Sequence, residues 1–271
     1  PEAMIFSDAG PDLRWVGNEK GFAAPECWET FTPRGEHGGP AVPGDVDTTQ
    51  SVTGTVDGLD WMPPECDVSI RPGWFWHAKE NDKVRTPDNL MDLYFKSVGR
   101  GASLLLNVPP DRRGRIYEAD AASLLEFARR RRAMFQTNLA AHAHVIASNT
   151  RGNNPRFGAA NLFDEDRATY WASDDDARTP SITLEFPAPI TFDVIRIGEA
   201  LPFGQRVRAI TVEAATAATD WKAIANETSI GNCRLVRLDD KVTAARVRLT
   251  VTKAAASPAL SEFGLFLSKL T

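Results

Sequence analysis

Apolar positions along the chain fall into two textures. As far as about residue 137 they come as short unbroken runs: AMIFSD (3–8), CDVSI (66–70) and SLLLNV (103–108), the last stopped by Pro109-Pro110. A brief apolar run that ends in polar residues is what a strand buried on both faces of a parallel sheet presents when its C-terminal end opens onto a site. Helical spacing follows the last two runs. PDNLMDLYFKSVG (87–99) begins with Pro87 and Asp88 and ends at Gly99, while EADAASLLEFARRRRAMFQTNL (118–139) carries Leu124, Leu125, Ala128 and Phe135, so both have helix-entry or periodic signals. Strand, loop and helix in repetition predict βα units around a parallel sheet.

From about residue 145 the period changes to alternation. SITLEF (181–186), FDVIRIGE (192–199), RAITVEAAT (208–216), CRLVRL (233–238) and ARVRLTVT (245–252) put Arg and Thr on the outward phase and are separated by turns. Short alternating strands at this spacing predict a β-sandwich. The change of texture falls near 138–146 and predicts two domains, 1–140 (α/β) and 141–271 (all-β).

Composition narrows the function classes. With 271 residues, 42% of them hydrophobic, the chain can bury a sizeable core, and a formal net charge of −5 argues against nucleic acid or an acidic membrane as a general partner. The basic run ARRRRA (128–133) lies within a helical pattern and reads as a solvated helix face. No apolar run is long enough to predict a membrane-spanning helix. Cys27, Cys66 and Cys233 are odd in number and far apart, which predicts neither a disulfide framework nor a zinc cluster, and at least one free buried thiol. The start at Pro1, with no signal-peptide pattern, is what a processed or truncated chain would give.

Candidate chemistry concentrates in two loops. Between Gly17 and Leu59 runs a Gly-, Pro- and Thr-rich stretch of the length used for lids and binding loops. At its head, DAGPDLRWVGNEKG (8–21) brings Asp12, Arg14, Trp15 and Glu19 together. An indole packs on the apolar face of a sugar, a guanidinium donates to hydroxyls, and a carboxylic acid can protonate a glycosidic oxygen. The alternative is a surface ion pair of Arg14 with Glu19 beside core tryptophans. A second cluster, PPECDVSIRPGWFWHAKEND (63–82), places Trp74, Phe75, Trp76 and His77 in succession. Three adjacent large rings cannot all enter one core, so at least one is expected to line a cleft.

FSDAGPDLRWVGNEKG, the WMPPECDVSIRPGWFWHAKEND segment and SVGRGASLLLNVPP, in this order, resemble the C-terminal part of a glycoside hydrolase family 29 α-L-fucosidase. The resemblance covers nearly the whole chain and is strongest to the subfamily selective for α-1,3/1,4-linked fucose. It implies that 1–140 is the C-terminal portion of a (β/α)8-like barrel and that the activity is retaining exo-hydrolysis of fucosylated glycans. It assigns Glu19 as general acid/base, Arg14 as a hydrogen-bond donor to fucose and Trp74 as the ring packed near the fucose methyl group. Trp15 and Glu65 join the substrate-binding set, with a structural role as the alternative for Glu65. The family's Asp nucleophile and fucose-binding histidines belong to earlier strands, so the resemblance implies a second polypeptide that supplies the N-terminal half of the barrel. The substrate class implies a periplasmic or secreted location.

AANLFDEDRATYWAS (159–173), QRVRAITVEA (205–214), DWKAIANETSIG (220–231) and ALSEFGLFLS (259–268) resemble the F5/8 type C, or galactose-binding-like, sandwich. This resemblance implies calcium at Asp164, Asp166, Thr169 and Glu262; the alternative is a turn capped by Asp164 and Thr169. No cofactor is implied for catalysis. Trp171 is expected in the core, and a packing role is preferred for the sandwich. The rival function is a non-catalytic fucose- or galactose-binding module with a vestigial half barrel.

Overall fold

The structure is a computed structural model that describes residues 3–217 and 219–268. The chain divides into two compact units, Pro1–Ala133 and Met134–Thr271.

The first unit is built on a four-stranded sheet of β1 (Phe6–Ser7), β2 (Leu13–Trp15), β5 (Pro64–Ser69) and β6 (Ser103–Asn107), in the order β1-β2-β5-β6. All three pairings are parallel. The long connection from β2 to β5 carries a small antiparallel pair, β3 (Thr30–Phe31) with β4 (Asp60–Trp61). Helix α1 (Pro87–Lys96) crosses from β5 to β6. Its start follows from sequence: Pro87 needs no intrahelical partner for its missing N–H, and the Thr86 hydroxyl caps the amide of Asn89 at 3.2 Å. Cys66 and Val68 of β5 share one face, and with Ile70 just beyond the strand they are buried, Val68 and Ile70 packing on Leu90 and Leu93 of α1.

Helix α2 (Glu118–Met134) follows β6 and stops before the expected 139, because the Asn138 side chain caps a separate short turn at Ala140. Leu124 and Phe127 face the core, whereas Leu125, expected on that stripe, is 72% exposed. The arginine run does form a solvated face, with Arg129 and Arg130 paired to Glu126 and Arg130 also to Asp88. β2 lies inside a segment whose sequence gives no strand period. Three residues are too few for one, and the strand exists through its pairing to β1 and β5.

The second unit is all-β. Its strands are β7 (His144–Ala147), β8 (Trp171–Ala172), β9 (Ser181–Glu199), β10 (Val207–Ala215), β11 (Lys222–Glu227), β12 (Arg234–Ala254) and β13 (Ala259–Phe266). They are ordered β11-β10-β12-β9-β13-β8, with β7 also on β9. The expected separate strands 181–186 and 192–199 are one strand, as are 233–238 and 245–252. The reason is that β9 and β12 stay paired on both sides of exposed Pro187-Ala188-Pro189, with register breaks at Arg237/Val242 and Ala244/Arg246. The first part of β9 pairs with β7 and the last part with β13, so the strand changes partner along its length. Leu184, Ile195, Ile197, Val247, Leu249, Phe263 and Trp171 form one buried core. Among the described residues no disulfide joins Cys27, Cys66 and Cys233, and all three are buried.

Candidate functional site

Strand alternation decides which side chains of the first unit can meet. With Cys66 and Val68 turned toward the helix side, Glu65, Asp67 and Ser69 share the opposite face of β5. Register carries that face to the neighbours: Trp15 lies opposite Glu65, Ser103 opposite Glu65, and Asn107 opposite Ser69. The chain leaves β2 through Val16, whose amide donates to the Glu65 carbonyl at 3.2 Å, and turns at Gly17 and Gly21, both with positive φ (79° and 78°). A side chain at Gly21 would stand 2.7 Å from Val68, so a larger residue is excluded there by space as well as by φ. Asn18 braces the turn, accepting from the Lys20 amide at 3.0 Å and donating to the Phe22 carbonyl at 3.3 Å. Glu19 is left exposed at its tip.

The loop after β5 meets it there. Trp74 donates its indole N–H to Glu19 Oε2 at 3.0 Å. Asn107 fixes this loop by donating to the Trp74 carbonyl at 2.9 Å and to the Ser69 hydroxyl at 3.0 Å, while that hydroxyl donates to the Gly73 carbonyl at 2.7 Å. The three rings separate as steric reasoning required. Trp74 faces Glu19, Phe75 is 78% exposed, and Trp76 packs against Tyr117 with the Arg71 guanidinium over both rings. A second indole–carboxylate bond lies on the same face, where Trp15 donates to Asp67 Oδ1 at 2.7 Å. Burial pushes the Asp67 carboxyl above the usual carboxylate range, Trp15 works against that shift, and the nearby Glu19 charge adds to it.

Arg14 is elsewhere. Its neighbour Trp15 takes the site face, so Arg14 points to the other side of β2 and is fully buried. Its guanidinium donates to the backbone carbonyls of Ser51 (2.9 Å) and Met62 and to Cys27 Sγ, and stacks over the Phe31 ring. The expectation that it donates to a sugar is therefore corrected: Arg14 holds the long loop onto the sheet. Burial lowers its pKa, with Cys27 and Glu29 opposing. Glu65 is on the site face but two residues toward the N-terminal end from Asp67, where it accepts from the Ser103 hydroxyl at 3.0 Å. The residues that sequence reasoning missed are Asp67, Ser69 and Asn107. Their signal was present as polar alternation in ECDVS and the terminal Asn of SLLLN.

An exposed carboxyl group held by an indole, beside a second carboxylate, at the C-terminal ends of parallel strands is suited to proton exchange with a bound sugar oxygen. Alpha-L-fucosidase 1 of Arabidopsis thaliana is 40% identical over 273 residues, covering 100% of this chain and 53% of that protein. The chain is related to the α-L-fucosidases. An Oryza sativa protein named as an α-L-fucosidase 1 is likewise 40% identical, over 97% of this chain and 50% of its own length. A glycoside hydrolase family 29 fucosidase of Ruminococcus gnavus, solved in complex with fucose, superposes with a TM-score of 0.88 at 33% identity, over 99% of this chain and 53% of its own. The chain thus spans about half the length of the fucosidases it matches. Residues 144–263 match the F5/8 type C domain.

In that domain of the fucosidase-related chain, Asp164, Asp166 and Thr169 share one turn. Asp164 accepts from the Thr169 hydroxyl at 2.6 Å and from the Asp166 amide at 2.9 Å, and Asp166 accepts from the Ala168 amide at 2.8 Å. Glu262, on β13, forms an ion pair with Arg196 of β9. Asp166, Glu262 and Arg196 line one cavity of about 290 Å³. Among the described residues no three His, Cys, Asp or Glu side chains gather as a metal site would need. With Glu262 neutralised by a guanidinium, these side chains do not form the oxygen cage that calcium wants. Trp171 is in the core, fully buried, its indole donating to the Asn149 carbonyl at 3.1 Å.

Proposed function

We propose that this chain is the C-terminal part of a retaining exo-α-L-fucosidase that removes α-1,3/1,4-linked fucose from glycans, with Glu19 as its general acid/base. The observation that carries the reading is the Trp74–Glu19 hydrogen bond, which joins the two sequence motifs at one strand end. In the first step an Asp carboxylate attacks the anomeric carbon, the glycosidic C–O bond breaks, and Glu19 gives its proton to the departing oxygen. In the second, Glu19 takes a proton from water as that water displaces the enzyme carboxylate. A segment carrying the N-terminal half of a (β/α)8-like barrel supplies that Asp; chain and segment together are the complete enzyme. Trp74 orients the acid and offers ring surface to fucose, and Trp15 lines the same face. Fucosylated glycans are displayed outside the cytoplasm, which favours a periplasmic or secreted place of work.

The test is fucose release by the complete enzyme, followed by ¹H NMR. Lewis-type α-1,3/1,4 trisaccharides should be cleaved, α-1,2-linked ones spared, and α-fucose should appear before its β anomer. Equal cleavage of α-1,2 linkages would remove the selectivity, and initial β-fucose would remove the retaining mechanism. Release by this chain alone would remove the need for the second segment.

One observation favours a second reading, sugar binding by the F5/8 type C domain. A cavity of about 200 Å³ there is lined by Tyr170, Phe203, Arg206 and the Arg151–Asp175 ion pair, the aromatic and planar polar groups that sugars use. Titration with fucose and galactose that perturbs Tyr170 resonances would support it, and unperturbed spectra would remove it.

A further inference from the structure

We infer that Asp67 is a positioning residue for Glu19, acting through Trp15 to fix the turn on which Glu19 stands. The inference rests on the acid/base reading of Glu19 given above.

The geometry is a pair of crossed hydrogen bonds between two segments. From the 15–19 segment Trp15 donates to Asp67, and from the 67–74 segment Trp74 donates back to Glu19. Each segment supplies one indole and one carboxylate. Trp15 is the last residue of β2, so its ring is where the regular sheet ends and the turn to Glu19 begins. Beyond it, the Val16 amide bonds to β5, the Val16 side chain is buried with Cys27, Cys66 and Ala102, and Asn18 braces the turn from within. With Gly17 in the turn, little in the local backbone alone fixes where Glu19 points. The 2.7 Å Trp15–Asp67 contact is the shorter of the two indole bonds.

A nucleophilic role for Asp67 fits poorly. One of its oxygens is committed to Trp15, and burial favours its protonated form. A role limited to satisfying the Trp15 N–H would leave Trp74 and Glu19 undisturbed when Asp67 is changed.

The first test uses the chain as it stands, with ¹⁵N-indole spectra assigned through Trp→Phe variants. In Asp67→Ala the Trp74 N–H signal should move although the Trp74 indole donates to Glu19 and not to Asp67, and Asp67→Asn, which keeps an acceptor, should return it toward its original position. Trp15→Phe keeps the ring without the donor and should also move the Trp74 signal, so the test survives a failure of Asp67→Ala to fold. An unmoved Trp74 signal in Trp15→Phe overturns the inference.

The second test compares a natural oligosaccharide with an aryl fucoside of good leaving ability in the complete enzyme. Asp67→Ala should lower kcat/KM for the oligosaccharide by on the order of 10–100-fold, as misplacement of a catalytic group does, and should largely spare the aryl fucoside. Equal losses on both substrates, with Glu19→Gln still discriminating between them, overturn the positioning role alone. Absence of discrimination in Glu19→Gln overturns the acid/base reading beneath it.

Discussion

The indole nitrogen of Trp74 lies 3.0 Å from Oε2 of Glu19, and the two residues stand 55 positions apart. Neither local segment dictates this contact. It forms because β2 and β5 are adjacent and parallel, so the loops leaving their C-terminal ends meet.

Trp74→Phe keeps a ring and loses the donor. A hydrogen bond to a charged group contributes about 1.5–3 kcal/mol, so kcat/KM of the complete enzyme should fall by roughly 10–100-fold. Trp74→Ala also loses ring contact with fucose and should weaken fucose inhibition by a further 1–3 kcal/mol or so. Full activity in the Phe variant would mean that the ring alone matters.

Arg14→Ala should behave as a folding mutation. It leaves the Ser51 and Met62 carbonyls without their donor and opens a cavity beneath the long loop, so urea unfolding should report a loss of about 3 kcal/mol or more. A variant of unchanged stability but weakened fucose binding would return Arg14 to the sugar.

Asn107→Asp replaces the donor to the Trp74 carbonyl and the Ser69 hydroxyl with an acceptor. Two oxygens that accepted from Asn107 would then face a carboxylate. The loop should lift, Trp74 fluorescence should shift toward that of a solvated indole, and oligosaccharide turnover should drop. Asn107→Gln, if it reaches the same oxygens, should be milder. Unaltered fluorescence in Asn107→Asp would show the loop to be held by other contacts.

In the second unit, burial pushes Glu199 from the usual 4.5 up to about 7, against the pull of amide donors from Val207, Gly231 and Arg206. A carboxyl group whose pKa is raised by folding binds its proton more tightly in the native state. Its contribution is therefore complete below the unfolded value and is lost as pH rises toward about 7. Asp174, Asp175 and Asp220 are held below the usual range by their hydrogen bonds, so they have finished titrating before that window. The second unit's melting temperature should fall from pH 5 to pH 8, by no more than the equivalent of about 3 kcal/mol. Glu199→Gln should flatten that slope, and a slope unchanged in the variant would assign it to another group.

Much was legible from residues 8–21 and 63–82. Their motifs marked Glu19 and Trp74, and these two residues do meet. The β5, α1 and β6 segments were legible because each has a local cause: a buried apolar run, a proline-led helix start, a stop at Pro109-Pro110. The continuous β9 and β12 were not, since the Pro187–Pro189 interruption looks like a turn unless the partner strand is known to stay paired on both sides of it.

What the sequence determined by itself is the set of local preferences: the apolar period of each element, the glycines that permit the turn before Glu19, and the residue types able to handle a sugar. What only the tertiary structure decided is which of those residues share a face. Successive side chains of a strand point to opposite sides, so the adjacent Arg14 and Trp15 part company, one into a buried bed of carbonyls and the other toward Asp67. A string of residue types does not state which phase of a three-residue strand faces the site. The pairing of β2 with β1 and β5 does.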